Sequence, residues 1–188
     1  MAHQLKIITS TTREGRKGPI VADWVYGIAK ENKDFEVELL DLALINLPLM
    51  DEPAHPKLQQ YKHEHTKKWS AKISAADAFI IVLAEYNYGY PAPIKNALDF
   101  LYNEWKYKPV SFVSYGGIGG GMRSTQMLKQ VVTTLHMVPI VEAVTIPSFT
   151  KYINDQNKLT PEEPVIKSAH AMLGELKRWS DTLKPMRS

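Results

Sequence analysis

The chain has 188 residues, a formal net charge of +3, and 44% hydrophobic and 23% charged content, the balance of a globular protein rather than a fibrous or disordered one. That charge is too small to imply nucleic acid, and no run of about 18 apolar residues offers a membrane span. There is no cysteine, which excludes disulfides, thiolate catalysis and cysteine-bound metal centres, so any redox chemistry has to come from a bound cofactor.

The opening MAHQLKIITSTTREGR has no long apolar stretch, so a cytoplasmic protein without a leader is expected. Residues 5–9 (LKIIT) are a short apolar run and read as a strand. Ile20, Val21, Trp24, Val25 and Ile28 then fall at helical spacing. Residues 35–42 (FEVELLDL) alternate as a second strand, followed by a Pro-rich connection over 45–56. Leu58, Tyr61, His65, Trp69, Ile73 and Ala76 make a stripe that predicts one long amphipathic helix. Residues 78–84 are apolar throughout, as in a strand covered on both faces. Ile94, Leu98, Leu101, Tyr102 and Trp105 predict a third helix, and residues 110–114 (VSFVS) a fourth strand. Thr125, Leu128, Val131, Val132 and Leu135 mark a fourth helix, and residues 138–144 a fifth strand. Val165, Ala169, Met172, Leu176, Trp179 and Leu183 mark the last helix, entered through Thr160-Pro161-Glu162-Glu163.

Strict alternation with Val/Ile-rich strands predicts an α/β fold. Its five parallel strands take the order 2-1-3-4-5, doubly wound with helices on both faces, and residues 1–188 form one domain. In such sheets a ligand sits outside the carboxyl ends of the strands, where the strand order reverses. Three loops of unusual composition emerge there: TSTTREGRKG, EYNYGYPAP and YGGIGGG.

The first loop places Ser10, Thr11, Thr12 and Arg13 ahead of a helix start at Lys17-Gly18. Hydroxyls, backbone N–H groups and a helix dipole suit an anion, and Arg13 can grip phosphate oxygens with two hydrogen bonds. Neither G-x-x-x-x-G-K-[ST] nor G-x-G-x-x-G is present in this loop, so a monophosphate of the kind FMN carries fits best. A hydroxyl-capped turn with solvated basic residues is the competing reading. In the second loop, backbone N–H groups around Glu85, Tyr86, Asn87 and Tyr88 suit the polar edge of a planar ring; ordinary core or interface aromatics are the competing reading of Tyr86, Tyr88 and Tyr90, and the favoured one for Tyr90. The third loop, from Ser114 and Tyr115 through Gly116 and Gly117 to Gly121, allows close backbone approach; a flexible turn is its plainer reading.

Taken together the loops resemble the NADPH-dependent FMN reductase family, flavodoxin-like proteins that include quinone, azo-compound and chromate reductases. A G-S-x-R phosphate loop is matched by Ser10-Thr11-Thr12-Arg13. A P-x-Y-N…P-x-x-x-K-N-A-[IL]-D pattern is matched by Ala84-Glu85-Tyr86-Asn87, Pro91 and Lys95-Asn96-Ala97-Leu98-Asp99. An S-Y-G-G-x-x-G-G pattern is matched by Ser114 to Gly121. The chain departs from these with Ser10-Thr11 for Gly-Ser and Ala84 for the loop proline.

The resemblance implies that Thr11, Arg13 and the Lys17-Gly18 helix start hold the phosphate. It implies that Glu85, Tyr86, Asn87 and Tyr88 line the isoalloxazine, and that Gly116, Gly117 and neighbouring backbone, including Ser114 and Tyr115, flank its other edge. The implied activity is hydride transfer from NADPH or NADH to FMN. Electrons then pass in a ping-pong cycle to a quinone, azo compound, metal oxyanion or free flavin. A homodimer with the flavin near the subunit boundary is also implied. A flavin-binding redox regulator and an electron carrier are the alternatives. No acid, base, nucleophile or metal ligand is assigned. His63 and His65 in KHEH could bind a metal, but with no Cys and only Glu64 between them the packing of His65 on its apolar stripe is the favoured reading, and Lys95 and Asp99 read as a helical i,i+4 pair.

Overall fold

The computed structural model describes residues 2–187. Five parallel strands form the sheet's main path: β1 (His3–Thr9), β2 (Phe35–Asp41), β3 (Ala78–Ala84), β4 (Pro109–Tyr115) and β5 (Val138–Pro139), in the order β2-β1-β3-β4-β5. A short sixth strand, β6 (Val144–Ile146), also pairs with β4. Helices α1 (Gly18–Glu31) and α6 (Glu163–Leu183) cover one face. Helices α3 (Glu64–Ser74), α4 (Ala92–Asp99) and α5 (Met122–Thr134) cover the other, and a one-turn α2 (Leu42–Ile45) follows β2.

The two-residue period of β3 sorts its side chains. Ile80 and Val82 join the core under α1 and α6, while Phe79, Ile81 and Leu83 join the core under α3, α4 and α5. All five are fully buried, and each such side chain contributes about 1.5–3 kcal/mol. Two buried indoles tie the second layer together. Trp69 Nε1 donates to Ala97 O at 2.8 Å, and Trp105 Nε1 donates to Leu98 O at 3.2 Å.

Three elements depart from the sequence expectation. The stripe from Leu58 to Ala76 is not one helix: Pro56–Leu58 is a single 3₁₀ turn ended by Gln59 at φ 54°, and α3 starts only at Glu64. Its start is set by Glu52, whose carboxylate accepts from Lys62 N at 2.8 Å and His63 N at 3.0 Å. Tyr61 leaves the helical path to donate to the Glu104 carboxylate at 2.8 Å. The third stripe is likewise cut: α4 ends at Asp99, and Trp105 lies in a separate turn, Asn103–Trp105. The expected fifth strand is split. Val138 N and Ile140 N still donate to Lys108 O and Val110 O, both at 3.0 Å, but the chain then bows out over residues 141–143, and Ser111 Oγ spans the gap by donating to Glu142 O at 2.6 Å.

Candidate functional site

The loops after β1, β3 and β4 meet at the carboxyl edge of the sheet, on the switch between β1 and β3. In the β1 loop, Thr9, Ser10 and Thr11 are buried, and each keeps a hydroxyl without a hydrogen-bond partner of good geometry. Buried orphans of this kind are costly unless a ligand or an ordered water satisfies them. Thr12 is exposed at the turn. The Thr11 hydroxyl stands beside the Tyr115 phenol, whose pKa burial pushes up to about 12. Gly18 makes that approach possible, since an added Cβ would lie 2.3 Å from Thr11 Oγ1.

The basic cluster divides its labour. Arg16 turns inward, donating to both Asp41 carboxylate oxygens at 2.7 Å and to Thr11 O at 2.8 Å. Asp41 in turn caps α2 by accepting from Ala43 N at 3.0 Å. Arg16 is therefore a strut of the loop. Arg13 stays exposed, with Nε donating to Tyr86 Oη at 3.2 Å and no carboxylate partner among the described residues. Lys17 is exposed at the N-cap of α1 and also lacks an ion pair there.

The β3 loop is a two-residue hairpin. Tyr86 and Gly89 exchange backbone hydrogen bonds of 2.9 Å in both directions, with Asn87 at φ 51° and Tyr88 at φ 70° between them. This is type I′ geometry, which favours Asn first and Gly second. The chain places Tyr at the second position, and a non-Gly residue held there costs about 1–3 kcal/mol. Tyr88 nevertheless stands 65% exposed. Tyr90 packs against the core beneath α3, α4 and α5.

In the β4 loop, Ser114 is buried and its hydroxyl faces β6, within 3.5 Å of Val144 O and Thr145 Oγ1. Tyr115 is buried edge-on to Phe149, with centroids 4.8 Å apart. The carbonyls of Gly116 and Gly117 face the segment after β6, accepting from Phe149 N at 3.3 Å and Ser148 N at 2.8 Å. Among the described residues, the N–H groups of Gly117, Ile118 and Gly119 donate to no backbone carbonyl; the same holds for Asn87 and Tyr88. Two rows of free donors therefore border the cleft. A Cβ added to Gly117 would meet nothing within 4 Å, whereas Gly120 and Gly121 are required by their own backbone, at φ 56° and 81°.

Sequence reading missed Arg123, which binds Glu85, and gave no role to Asn96, which pins the segment after α2 by donating to Pro48 O at 2.7 Å and accepting from Met50 N at 2.9 Å. Arg123 carried a signal: a cation in the first turn of a helix opposes the dipole. His63 and His65 are stacked 5.2 Å apart, and His65 Nε2 contacts Asp51 at 2.9 Å. No group of three or more His, Cys, Asp or Glu among the described residues could hold a metal. Likewise, no helix there is long and apolar enough to cross a membrane.

Sheet order defines a flavodoxin-like α/β protein, whose three unusual loops gather at the carboxyl edge, where ligands bind in such sheets. The chain belongs to the NADPH-dependent FMN reductase family, which it matches over residues 4–151. It is 40% identical over 172 residues to an NAD(P)H-dependent FMN reductase of Schizosaccharomyces pombe, covering 82% of this chain and 86% of that one. It is 26% identical over 186 residues to an NADPH azoreductase of Bacillus sp. (strain OY1-2), covering 98% and 96%. Its fold is shared with FerB, a flavoenzyme NAD(P)H:(acceptor) oxidoreductase of Paracoccus denitrificans, at TM-score 0.76 and 21% identity over 97% and 99% of the chains. The protein is thus an oxidoreductase of a family built around FMN and NAD(P)H.

Proposed function

We propose that the chain, as one domain, holds FMN across the three loops, with NADPH or NADH as donor and a small molecule as acceptor. The observation that carries this is the pair of buried, unpartnered hydroxyls on Thr9 and Ser10, with Thr11 following and Arg13 nearby without a carboxylate partner among the described residues. Ser10, Thr11, Thr12, Arg13 and the helix start at Lys17-Gly18 would hold the phosphate. Glu85, Tyr86, Asn87 and Tyr88 would line one side of the ring, and Ser114, Tyr115, Gly116 and Gly117 would form the other wall, mainly through backbone. When bound, FMN supplies the hydride and electron transfer itself.

The chain's residues bind, orient and polarise. The free N–H groups of Asn87, Tyr88, Gly117 and Ile118 would offer fixed donors to the polar edge of a bound ring. No side chain in the cleft is needed as acid or base. Donor and acceptor take turns at the same open face, a ping-pong cycle, and the names of the relatives favour a quinone or azo compound as acceptor. A homodimer is part of the reading. Trp105 in the aromatic segment 102–107 is wholly buried and cannot serve a partner, while Leu44 and Leu49, at 82% and 85% exposure, are apolar side chains open to one.

The test is a visible spectrum of the purified protein before and after anaerobic NADPH, with the released cofactor identified by chromatography. FMN at about one per chain, bleached by NADPH, is expected. FAD, or no flavin after reconstitution, overturns the reading. Sedimentation at micromolar concentration tests the dimer.

A further inference from the structure

We propose that Arg123 is a positioning residue that bolts together the two loops at the ring end of the cleft. The inference rests on the FMN placement above. Arg123 opens α5, just past the glycine loop after β4, yet its side chain reaches back to the loop after β3. Its Nε donates to Glu85 Oε1 at 2.7 Å, its Nη2 contacts the same oxygen, and its backbone N–H donates to Glu85 Oε2 at 3.2 Å. Glu85 is thus both the cap of α5 and the anchor of the guanidinium. Burial alone would raise the Glu85 carboxyl. The Arg123 hydrogen bond and charge, with the N–H groups of Ser124 and Arg123, outweigh burial and hold it below the usual carboxylate range.

The guanidinium carbon also lies 4.0 Å from the Tyr88 ring centroid. A flat cation over an aromatic face is favourable, and lysine cannot reproduce that planar contact. One residue therefore holds the base of the β3 loop through Glu85 and its tip through Tyr88. Gly119 completes the arrangement: a Cβ there would lie 2.8 Å from Arg123 Nη2, so this glycine makes room for the guanidinium. Glu85, Tyr88, Gly117 to Gly121 and Arg123 together line a pocket of about 470 Å³. Helix preference does not explain an arginine at this position, because its charge opposes the dipole of α5. The tie between loops does.

The consequence is a division of binding between the two ends of the cleft. Arg13 acts on the phosphate, and Arg123 acts on the ring through loop spacing. Riboflavin has the same ring and no phosphate, so titrating the flavin-free full chain with FMN and with riboflavin separates the two. Arg123→Ala is expected to weaken both ligands by the same factor, about 10-fold, the scale of one charge-assisted contact. Arg13→Ala is expected to weaken FMN by about 10-fold or more and riboflavin by a clearly smaller factor, which reflects only its bond to Tyr86 Oη. With flavin saturating, and at a temperature where the variant stays folded, Arg123→Ala is also expected to slow NADPH-driven flavin reduction by about 10-fold, which a merely structural residue would not do. Arg123→Lys keeps the charge on Glu85 but not the flat contact, and is expected to fall between wild type and alanine; at this half-exposed position it also guards against misfolding of the alanine variant. Unchanged riboflavin affinity in both Arg123 variants, or a loss confined to FMN, overturns the proposal. If Arg13→Ala fails to discriminate the ligands, the phosphate placement is wrong, while the riboflavin data still judge Arg123.

Discussion

Arg16 and Asp41 form a planar pair, with two parallel hydrogen bonds of 2.7 Å, and a further bond of 2.8 Å runs from the same guanidinium to Thr11 O. The pair joins the end of β2 to the loop after β1, and both side chains are largely buried. It fixes where the backbone of Thr11 points before any ligand arrives. The Arg16 guanidinium is raised above its ordinary value, chiefly by the Asp41 hydrogen bond.

Breaking that pair should therefore damage a site that neither side chain touches. Asp41→Ala is expected to cost about 3 kcal/mol of stability, because it leaves a buried cation unpaired, and to weaken FMN by about 10-fold. Replacing both partners, as Arg16→Met with Asp41→Leu, should recover much of the stability, since two apolar side chains replace two desolvated charges. It should not recover FMN affinity, because nothing then holds the Thr11 carbonyl. Urea unfolding and flavin titration on the three proteins check this. Parallel recovery of both quantities would mean that the pair is only a fold element.

Gly117 separates protein strain from ligand clash. Its backbone is not left-handed, and an added Cβ would enter open space. Gly117→Val is therefore expected to change the melting temperature by less than about 2 °C, in line with a surface change below roughly 0.5 kcal/mol. Flavin affinity should nonetheless fall by 10-fold or more, an order-of-magnitude expectation for one badly placed side chain against a ring. Calorimetry and fluorescence titration decide it. Full affinity in the variant would move the ring away from this loop.

At the opposite edge of the sheet, Lys108 is 5% exposed and donates to Ile73 O at 2.7 Å and Ser74 O at 3.0 Å. Burial first, then the charges of Arg187 and Lys6, push its amine down to about 8, against the opposing pull of Asp77 and Glu104. In the unfolded chain the value is about 10.4. Between these two values the unfolded chain binds more protons, so this group's contribution to stability rises as pH rises through the window. Below about pH 8 the lysine is charged in both states and its burial penalty is complete. The stability difference between wild type and Lys108→Met is expected to shift by up to about 3 kcal/mol in favour of wild type between pH 7.5 and 10.5. A difference independent of pH would show an amine of ordinary basicity.

The sheet was legible because its evidence is local. The unbroken apolar run of β3 and the alternation of β2 announce strands, and the loops with hydroxyls, an Asn-Tyr-Gly turn and clustered glycines fall on the switch of the strand order. What escaped was non-local. The stripe from Leu58 to Ala76 has helical spacing, but Glu52 fixes the start of α3 from outside it. Arg13, Arg16 and Lys17 look alike in sequence, and only Asp41, a residue of β2, draws Arg16 inward into an ion pair. Arg123 and Glu85 are 38 positions apart, so their pairing has no sequence signature beyond a cation at the wrong end of a helix.

The last prediction concerns Tyr88, where the backbone and the side chain have opposing requirements. The turn between Tyr86 and Gly89 needs left-handed backbone at both central positions, at φ 51° and 70°. Glycine takes the second position without cost, and Asn-Gly is a favoured pair there. Tyr88 is strained by about 1–3 kcal/mol, and its ring is too exposed for burial to offset much of that. The contact with Arg123, 4.0 Å from centroid to guanidinium carbon, supplies part of the compensation, on the order of 0.5–1 kcal/mol at an exposed site. Tyr88→Gly should therefore relieve more strain than it loses in contact, and raise stability by about 1 kcal/mol. The same change removes an aromatic face from the ring end of the cleft, so FMN affinity or the rate of flavin reduction should fall. A more stable but poorer flavoprotein is the expected outcome, read by urea unfolding and by stopped-flow reduction with FMN saturating. If Tyr88→Gly is destabilised, the turn is not strained in the way its dihedral angles indicate. If it is stabilised with full flavin reduction, Tyr88 is an ornament of the loop and the cleft's ring contacts lie elsewhere.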